Sequence, residues 1–152
     1  MIVAAHGAAV AGGCAFLGGG DFIVTNREAK LGYPVTRLGL SPAVTTPALS
    51  QSLSYGRTRE RTLDPDLISG EEAARIGLAS VCVDIVEDVL PRAERIARQL
   101  AEKPAYAIAA TKNLLNEFDG SLADNRFELA LHASLDIAWN SEQLTRVAAL
   151  WK

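Results

Sequence analysis

The stretch AAHGAAVAGGCAFLGGGD, residues 4–21, decides how the rest of the chain is interpreted. A secretion signal would need a basic segment ahead of its apolar run, and the first Lys or Arg of the chain is Arg27. A membrane helix would need about 20 residues of sustained apolar character, which the repeated glycines interrupt. We therefore interpret the stretch as a strand, a glycine-rich turn and a short helix.

Composition excludes several classes of protein. The chain has 152 residues with 49% hydrophobic and 22% charged residues, which is typical of one soluble domain. The formal net charge is −3 and the basic residues are scattered, so we expect no nucleic-acid surface. Cys14 and Cys82 lie in no metal-binding pattern. They predict reduced thiols, a cytoplasmic protein and no metal site.

The sequence pattern of the first half of the chain indicates α/β structure. Residues 1–5 and 22–25 are apolar and β-rich, and the short helix between them predicts a parallel βαβ unit. Residues 7–13 are expected to form a loop. A helix is expected over residues 48–55, with Gly56 as its stop. Ser69 followed by Glu72 predicts a capped helix that ends at Gly77.

The sequence pattern of the second half of the chain indicates helices. Apolar residues recur at three- and four-residue steps from Val86 to Leu100, and this amphipathic helix should close before Pro104. A helix is predicted over residues 105–116. Residues 121–152 form either one long helix or two helices broken near Asn140. We place the boundary between the α/β part and the helical part at residues 84 and 85.

An ordered set of motifs runs over nearly the whole chain. The set consists of His6-Gly7, Ala11-Gly12-Gly13-Cys14, Asp21, Ala29-Lys30-Leu31-Gly32, Pro34, Leu38-Gly39-Leu40-Ser41-Pro42, ISGEEAARIGLASVCV (68–83) and KPAYAIAATKNLLN (103–116). Together these motifs resemble the crotonase superfamily, the enoyl-CoA hydratase/isomerase proteins. The resemblance implies a ββα spiral core that is incomplete at its N-terminus (1–84), followed by a helical segment of the trimerisation type (85–152).

The resemblance also implies a function in acyl-CoA metabolism. The substrate would be an acyl-CoA thioester whose enolate-like oxygen is stabilised by backbone N–H groups at Gly12, with Gly13 shaping the turn. Coenzyme A would be part of the substrate, with no separate cofactor. The protein would be a homotrimer or hexamer without a membrane segment, and the second oxyanion donor would lie upstream. Substrate would be lined by Ala15, Pro34, Val35 and Leu38.

Two positions depart from the pattern of the hydratases. Those enzymes carry one glutamate directly after G-G-C and a second after the proline of A-K-F-G-x-P-E. Here Ala15 and Val35 stand at these places, and neither can move a proton. We therefore expect inefficient hydration. The alternative is a non-catalytic relative that binds acyl-CoA or only assembles with active subunits, so whether the chain is an enzyme stays open.

Several other residues are candidates to replace the missing glutamates. His132, in FELALHASL, is similar to a histidine of crotonase-like decarboxylases, although a half-buried helix histidine is the simpler interpretation. Cys14 could be a reactive thiol or a small core residue, and His6 and Asp21 are interpreted as structural. The remaining candidates, each with an ordinary structural alternative, are Tyr33, Thr36, Thr45 and Thr46. An apolar stripe, either intrachain core or interface, comprises Leu129, Ala133, Leu135, Ala138, Trp139, Val147, Leu150 and Trp151.

Overall fold

The computed structural model describes residues 1–120 and 124–150. Its first sheet contains β1 (Ile2–Ala5), β3 (Phe22–Asn26) and β6 (Val81–Val83) in the order β1-β3-β6. Both pairings are parallel, and Val3 lies opposite Ile23. The predicted parallel βαβ unit is therefore confirmed.

Core side chains lie on both faces of this sheet. Because successive residues of a strand point to opposite faces, Ile23 and Val24 of β3 enter two different apolar clusters. Helix α5 (Val89–Ala101) covers the Val24 face and buries Val89, Ala93 and Ile96 against it. Burial on both faces explains why β1 and β3 read as almost continuous apolar runs.

A second sheet was not predicted. It contains β2 (Ala8–Val10), β4 (Lys30–Gly32) and β5 (Ile68–Ser69), with β2 parallel and β5 antiparallel to β4. The expected loop at residues 7–13 is thus wrong. The three residues of β2 are too few to show an alternating pattern, and the strand is defined by its partner β4, twenty-two residues later.

Four α-helices accompany the sheets before β6. They are α1 (Gly12–Ala15), α2 (Thr46–Ser52), α3 (Tyr55–Leu63) and α4 (Gly70–Ile76), and a 3₁₀ turn, Phe16–Gly19, follows α1. The prediction that Gly56 stops a helix is wrong. Ser54 caps α3 by accepting a hydrogen bond from the Arg57 N–H, so Gly56 falls in its first turn.

Helix α4 begins and ends where its sequence predicts. The Ser69 hydroxyl accepts a hydrogen bond from the Glu72 N–H at 3.1 Å, and Gly77 ends the helix with φ +91°. The Glu72 carboxylate pairs with Arg75 instead of returning to the cap. The serine half of the predicted capping box is therefore formed.

The C-terminal part consists of α5, α6 (Ala105–Phe118), α7 (Asp124–Leu135) and α8 (Ser141–Ala149). The break between α7 and α8 confirms the second of the two predicted arrangements. Trp139 has φ +63°, and Asn140 caps α8 by accepting from the Gln143 N–H. Helix α7 packs against α2 and the 3₁₀ turn Ala43–Thr45, whereas α8 packs against the 3₁₀ turn Pro34–Leu38.

Helix α6 forms an ion pair with the residue before β3. It buries no residue fully, and its Lys112 forms an ion pair with Asp21, which directly precedes β3. Burial works to raise the pKa of Asp21, but hydrogen bonds from Lys112 and the N-terminal ammonium outweigh it and lower that pKa. The ion pair therefore supports docking of α6 at neutral pH and is lost in acid, as the pH falls through the lowered pKa.

Replacing Asp21 tests this role. We expect Asp21→Asn to speed amide hydrogen exchange throughout α6 while changing the free energy of unfolding by less than about 1 kcal/mol, because the pair is exposed. Exchange followed by mass spectrometry on α6 peptides measures the effect. Asp84→Asn is the control, since Asp84 pairs with Arg27 away from α6. Equal exchange rates in the wild-type chain and Asp21→Asn would show that the pair does not hold the helix.

Candidate active site

The turn between β2 and α1 has an unusual backbone. Ala11 has φ +52° and ψ −115°, a conformation that residues with a Cβ rarely adopt. Its N–H donates to the Gly32 carbonyl of β4 at 2.8 Å, which ties the turn to the second sheet. Such strain costs on the order of 1–3 kcal/mol and is concentrated at functional sites in proteins.

The two glycines after Ala11 begin α1. Gly12 and Gly13 are exposed, and their N–H groups have no acceptor among the residues that the structure describes. The Ala15 N–H bonds to the Ala11 carbonyl at 3.0 Å, so the helical turn is already formed. Unpaired N–H groups at the start of a helical turn carry partial positive charge and can bind a developing oxyanion.

Packing does not require glycine at either position. A Cβ built on Gly12 or Gly13 would meet no atom within 4 Å. In contrast, a Cβ on Gly18 would lie 2.6 Å from the Ala48 Cβ of α2, so that glycine is needed for close packing. The sequence leaves two interpretations of the Gly12-Gly13 pair, tight packing or close approach to a ligand. The open space around the pair favours the second.

A small cavity lies beside the start of α1. Its volume is about 90 Å³, and it is lined by Ala11, Gly12, Tyr33, Val35, Ser41, Pro42, Val44 and Thr45. Gly12 and Val35 are brought together here, as the resemblance implies. None of the described lining residues carries a carboxylate. The cavity therefore offers N–H and hydroxyl groups but no acid or base from a glutamate.

The other predicted site residues do not line this cavity. Ala15 ends α1 and is half-buried, and Gly13 is exposed beside Gly12. Pro34 and Leu38 are the first and last residues of the 3₁₀ turn that carries Val35. Proline presets the backbone for such a turn, so the role supported for Pro34 is to shape the segment. These four residues stay predictions as substrate contacts.

Tyr33, which lines the cavity, forms a buried pair with Cys14. The Tyr33 hydroxyl donates to the Cys14 carbonyl oxygen at 3.4 Å, and both side chains are almost inaccessible. Burial raises the pKa of the Tyr33 phenol, so this group does not ionise near neutral pH. Burial also raises the pKa of the Cys14 thiol, although hydrogen bonds from Tyr33 and the Gly32 N–H oppose the shift. The structure thus favours Cys14 as a core residue.

The two cysteines should differ in reactivity. Cys14 is fully buried, whereas Cys82 is half-buried in β6, and burial raises the pKa of both thiols. Because alkylation requires an accessible thiolate, iodoacetamide at pH 8 should label Cys82 at least about tenfold faster than Cys14. Peptide mass spectrometry measures the two rates, with the denatured chain as the control. Faster labelling of Cys14 would contradict its assignment to the core.

The candidate threonines divide into two groups. Thr45 and Thr46 both donate to the Pro42 carbonyl, at 2.8 and 3.0 Å, and so stabilise the turn before α2. Thr36 has a buried hydroxyl oxygen with no partner in the described part of the chain. The structural alternative is therefore favoured for Thr45 and Thr46 but not for Thr36.

A larger groove was not predicted from the sequence. Its volume is about 490 Å³, and it lies between α7 and the segment from Thr36 to Ser50. It shares Ser41 and Pro42 with the small cavity, so the two spaces adjoin. The groove unites residues as distant in sequence as Leu40 and Ala133. The only local signal is the spacing of Ala130 and Ala133, which places two small residues on one face of α7.

The two histidines lie outside both spaces. His132 is exposed on α7 and lines neither the cavity nor the groove, so the expectation of a half-buried side chain is wrong. His6 is exposed after β1, and its ring has no hydrogen-bond partner within residues 1–120 and 124–150. Neither histidine is brought to the start of α1.

The C-terminal apolar stripe is largely exposed. The exposed fractions of Leu129, Trp139 and Leu150 are 72%, 79% and 61%. An intrachain core is therefore excluded for these residues, while Ala138 and Val147 are half-buried and Trp151 lies outside the described residues. No helix within the described ranges is long and apolar enough to cross a membrane.

Comparisons with known proteins agree with this architecture. The family model described as Enoyl-CoA hydratase/isomerase matches residues 1–135. Crotonyl-CoA hydratase of Syntrophomonas wolfei is 32% identical over 118 residues, 77% of this chain and 45% of that protein. The 1,2-epoxyphenylacetyl-CoA isomerase of Escherichia coli is 28% identical over 130 residues, 85% of this chain and 49% of that protein. The chain spans about half the length of the curated relatives it matches.

Solved structures show the same fold. The crystal structure of an enoyl-CoA hydratase/isomerase from Mycobacterium paratuberculosis superposes with a TM-score of 0.83 at 24% identity, covering 94% of this chain and 57% of the other. The enoyl-CoA hydratase from Mycobacterium smegmatis gives a TM-score of 0.77 at 26% identity, covering 89% and 62%.

Proposed function

This chain belongs to the enoyl-CoA hydratase/isomerase family, and from that premise we propose that it binds an acyl-CoA thioester and stabilises its enolate-like oxygen at Gly12. The crotonase-like fold is shared with solved members of the family. Coenzyme A enters as part of the substrate, and no further cofactor is proposed. Val35 lines the acyl end of this site, with Ala15, Pro34 and Leu38 around it.

One observation carries the proposal. Gly12 lies at the wall of the small cavity, its N–H has no acceptor among the described residues, and a Cβ there would meet only open space. A thioester oxygen that gains negative charge is stabilised by such a preorganised N–H, and the helical turn adds its dipole. Ala11, whose φ is +52°, directly precedes this turn, and backbone strain of this kind is concentrated at functional sites.

The side chains at positions 15 and 35 limit which reaction this site can catalyse. Hydration needs one carboxyl group to activate water and another to deliver a proton. Val35 supplies neither inside the cavity, and Ala15 supplies neither at the end of α1. We propose that hydration is inefficient and that any catalysis depends on enolate stabilisation. Loss of CO₂ from a malonyl-type thioester generates an enolate without a protein base, and water then protonates it.

The proposal has two further parts, the rest of the site and the assembly of the chain. A second oxyanion donor and one wall of the coenzyme A site would come from outside the described residues. The exposed apolar faces of α6, α7 and α8 would pack between copies in a trimer or a doubled trimer. Both described cysteines are free, which suits the cytoplasm.

A second candidate is a non-catalytic member that binds acyl-CoA or only assembles with active subunits. The absence of a carboxylate from the described cavity wall favours it. The strained turn and the open Gly12 favour retained chemistry, because assembly alone requires neither. Turnover separates the first candidate from a non-catalytic protein that binds acyl-CoA, and binding separates it from a member that only assembles.

Calorimetry and two activity assays test the proposal. We expect butyryl-CoA to bind and free coenzyme A to bind more weakly, because only the thioester offers an oxygen to Gly12. Crotonyl-CoA hydration should be slow. Release of CO₂ from malonyl-CoA above the uncatalysed rate would support an enzyme, and binding without either reaction would support the non-catalytic candidate. Failure of every acyl-CoA to bind would refute the proposed function.

A further inference from the structure

Arg61, near the end of α3, is the one charged residue among the buried residues that the structure describes. Its side chain is only 7% exposed. A guanidinium is costly to bury unless it is paired. The hydrogen bonds of Arg61 go to the turn that directly follows α3. Its Nη2 donates to the Asp64 carboxylate, and its Nη1 donates to the Asp66 carbonyl at 3.3 Å. Arg61 therefore acts on the shape of this turn.

The turn at residues 64–66 is closed by the Asp64 carboxylate. Its Oδ1 accepts from the Asp66 N–H at 2.9 Å, whereas its Oδ2 accepts from Arg61. The hydrogen bond from the Asp66 N–H lowers the pKa of Asp64, and the hydrogen bond from Arg61 acts in the same direction. Because the planar guanidinium reaches a carboxylate with one nitrogen and a backbone carbonyl with the other, it holds both ends of the turn in one geometry.

This turn contacts the backbone that holds the start of α1. A Cβ built on Gly32, the last residue of β4, would lie 3.2 Å from the Asp66 carbonyl oxygen, so the turn and the strand are in close contact. The Gly32 carbonyl in turn accepts the hydrogen bond from Ala11 at 2.8 Å. Contacts therefore run without a gap from the Arg61 guanidinium, through the turn and β4, to the strained residue before Gly12.

The same turn also contacts the segment that carries Val35. The Asp66 carboxylate forms an ion pair with Arg37, which belongs to the 3₁₀ turn Pro34–Leu38. Both side chains of this pair are largely exposed, so the pair by itself contributes little stability. The buried Arg61 is the stronger anchor of the turn, and the turn contacts the elements behind both Gly32 and Val35.

We propose that Arg61 is a positioning residue, which keeps the Gly12 N–H aimed at the thioester oxygen by holding the turn at residues 64–66 against Gly32. The inference rests on the proposed function. Arg61 lines neither the small cavity nor the larger groove, so it acts through the backbone and not on the substrate. Preorganised donors depend on accurate placement, and a displacement of about 1 Å can cost on the order of a hundredfold in rate.

A comparison of two ligands on the full 152-residue chain tests this inference. Butyryl-CoA has a thioester oxygen, whereas the thioether S-butyl-CoA lacks it, so the ratio of their affinities isolates the contribution of that oxygen. Arg61→Lys keeps the charge but loses the fork that reaches Asp64 and Asp66 together. We expect the preference for butyryl-CoA to fall at least about fivefold in this variant, while S-butyl-CoA affinity stays within about twofold. Calorimetry measures both affinities.

A measurement without ligand follows the same contacts. Because the Ala11 N–H is bonded to the Gly32 carbonyl, its hydrogen exchange reports on whether the turn still holds β4 in place. We expect Arg61→Lys to speed exchange at Ala11, as followed by NMR, more than at the middle of α5. This readout separates a local displacement from general destabilisation, which would speed exchange in both regions.

Two further variants keep the result interpretable. Arg75→Lys is the matched control, since Arg75 also uses two nitrogens, on the Glu72 carboxylate, but is exposed on α4. It should leave both affinities unchanged. If Arg61→Lys fails to fold, Asp64→Asn removes the charge beside Arg61 and keeps an oxygen for the Asp66 N–H. This milder change should lower the same preference by a smaller factor.

The outcomes separate the inference from the proposed function. An unchanged preference for butyryl-CoA in a folded Arg61→Lys or Asp64→Asn chain would overturn this inference alone, whether or not both affinities fall together. A wild-type chain that binds neither ligand, or binds both equally, would overturn the proposed role of Gly12, and this inference with it.

Discussion

Gly12→Ala should leave the fold intact and weaken acyl-CoA binding at least about tenfold. A Cβ at this position meets no atom of the described chain, and alanine is favoured over glycine in a helix by about 1 kcal/mol. The new methyl group would instead project where the thioester must approach the N–H. Thermal unfolding should therefore be unchanged or shifted slightly upward, while calorimetry with butyryl-CoA shows the loss.

Gly18→Ala is the matched control, and we expect it to destabilise the fold. The same methyl group would lie 2.6 Å from the Ala48 Cβ and 2.9 Å from its backbone carbonyl carbon, so α2 must move. Overpacking of this kind costs about 1–3 kcal/mol, and rigid backbone on one side makes relief harder. If Gly12→Ala unfolds the chain as Gly18→Ala does, Gly12 serves packing rather than ligand binding.

Restoring the two carboxyl groups should raise a low hydration rate by on the order of a hundredfold, the scale of general acid–base catalysis. The double variant Ala15→Glu with Val35→Glu places one carboxyl in the cavity wall and another at the end of α1. Of the single variants, Val35→Glu should contribute more, because only position 35 lines the cavity. Loss of the conjugated absorbance of crotonyl-CoA measures the rate.

Val86→Glu controls for the added charge. Val86 lies in an exposed turn before α5, away from the cavity, so this variant should not change the rate. A double variant that folds, binds crotonyl-CoA and still shows no increase would rule out the explanation that these two positions alone account for weak hydration. The second oxyanion donor would then be the next explanation to test.

Local signals predicted the elements whose ends are defined by neighbouring residues. Ser69 and Gly77 bound α4 as expected, because capping and a left-handed stop act within one turn. β1 and β3 were also predictable because each is a nearly continuous apolar run, and α5 was predictable because its apolar residues recur at three- and four-residue steps. The prediction that Gly56 stops a helix is wrong because a local pattern does not distinguish a glycine in the first turn of one helix from a glycine after the last turn of the helix before it.

The candidate site shows the same difference between what local sequence patterns determine and what tertiary packing determines. The amino-acid sequence by itself determined the family, the Gly12-Gly13 turn and the replacement of two glutamates by Ala15 and Val35, because these are ordered motifs of residue types. Only the tertiary structure decided that Val35 shares a cavity with Gly12 while Ala15 does not. It alone revealed the groove on α7 and the exposure of His132. Cavities arise where distant segments pack imperfectly, and their shape depends on contacts that no local sequence pattern encodes.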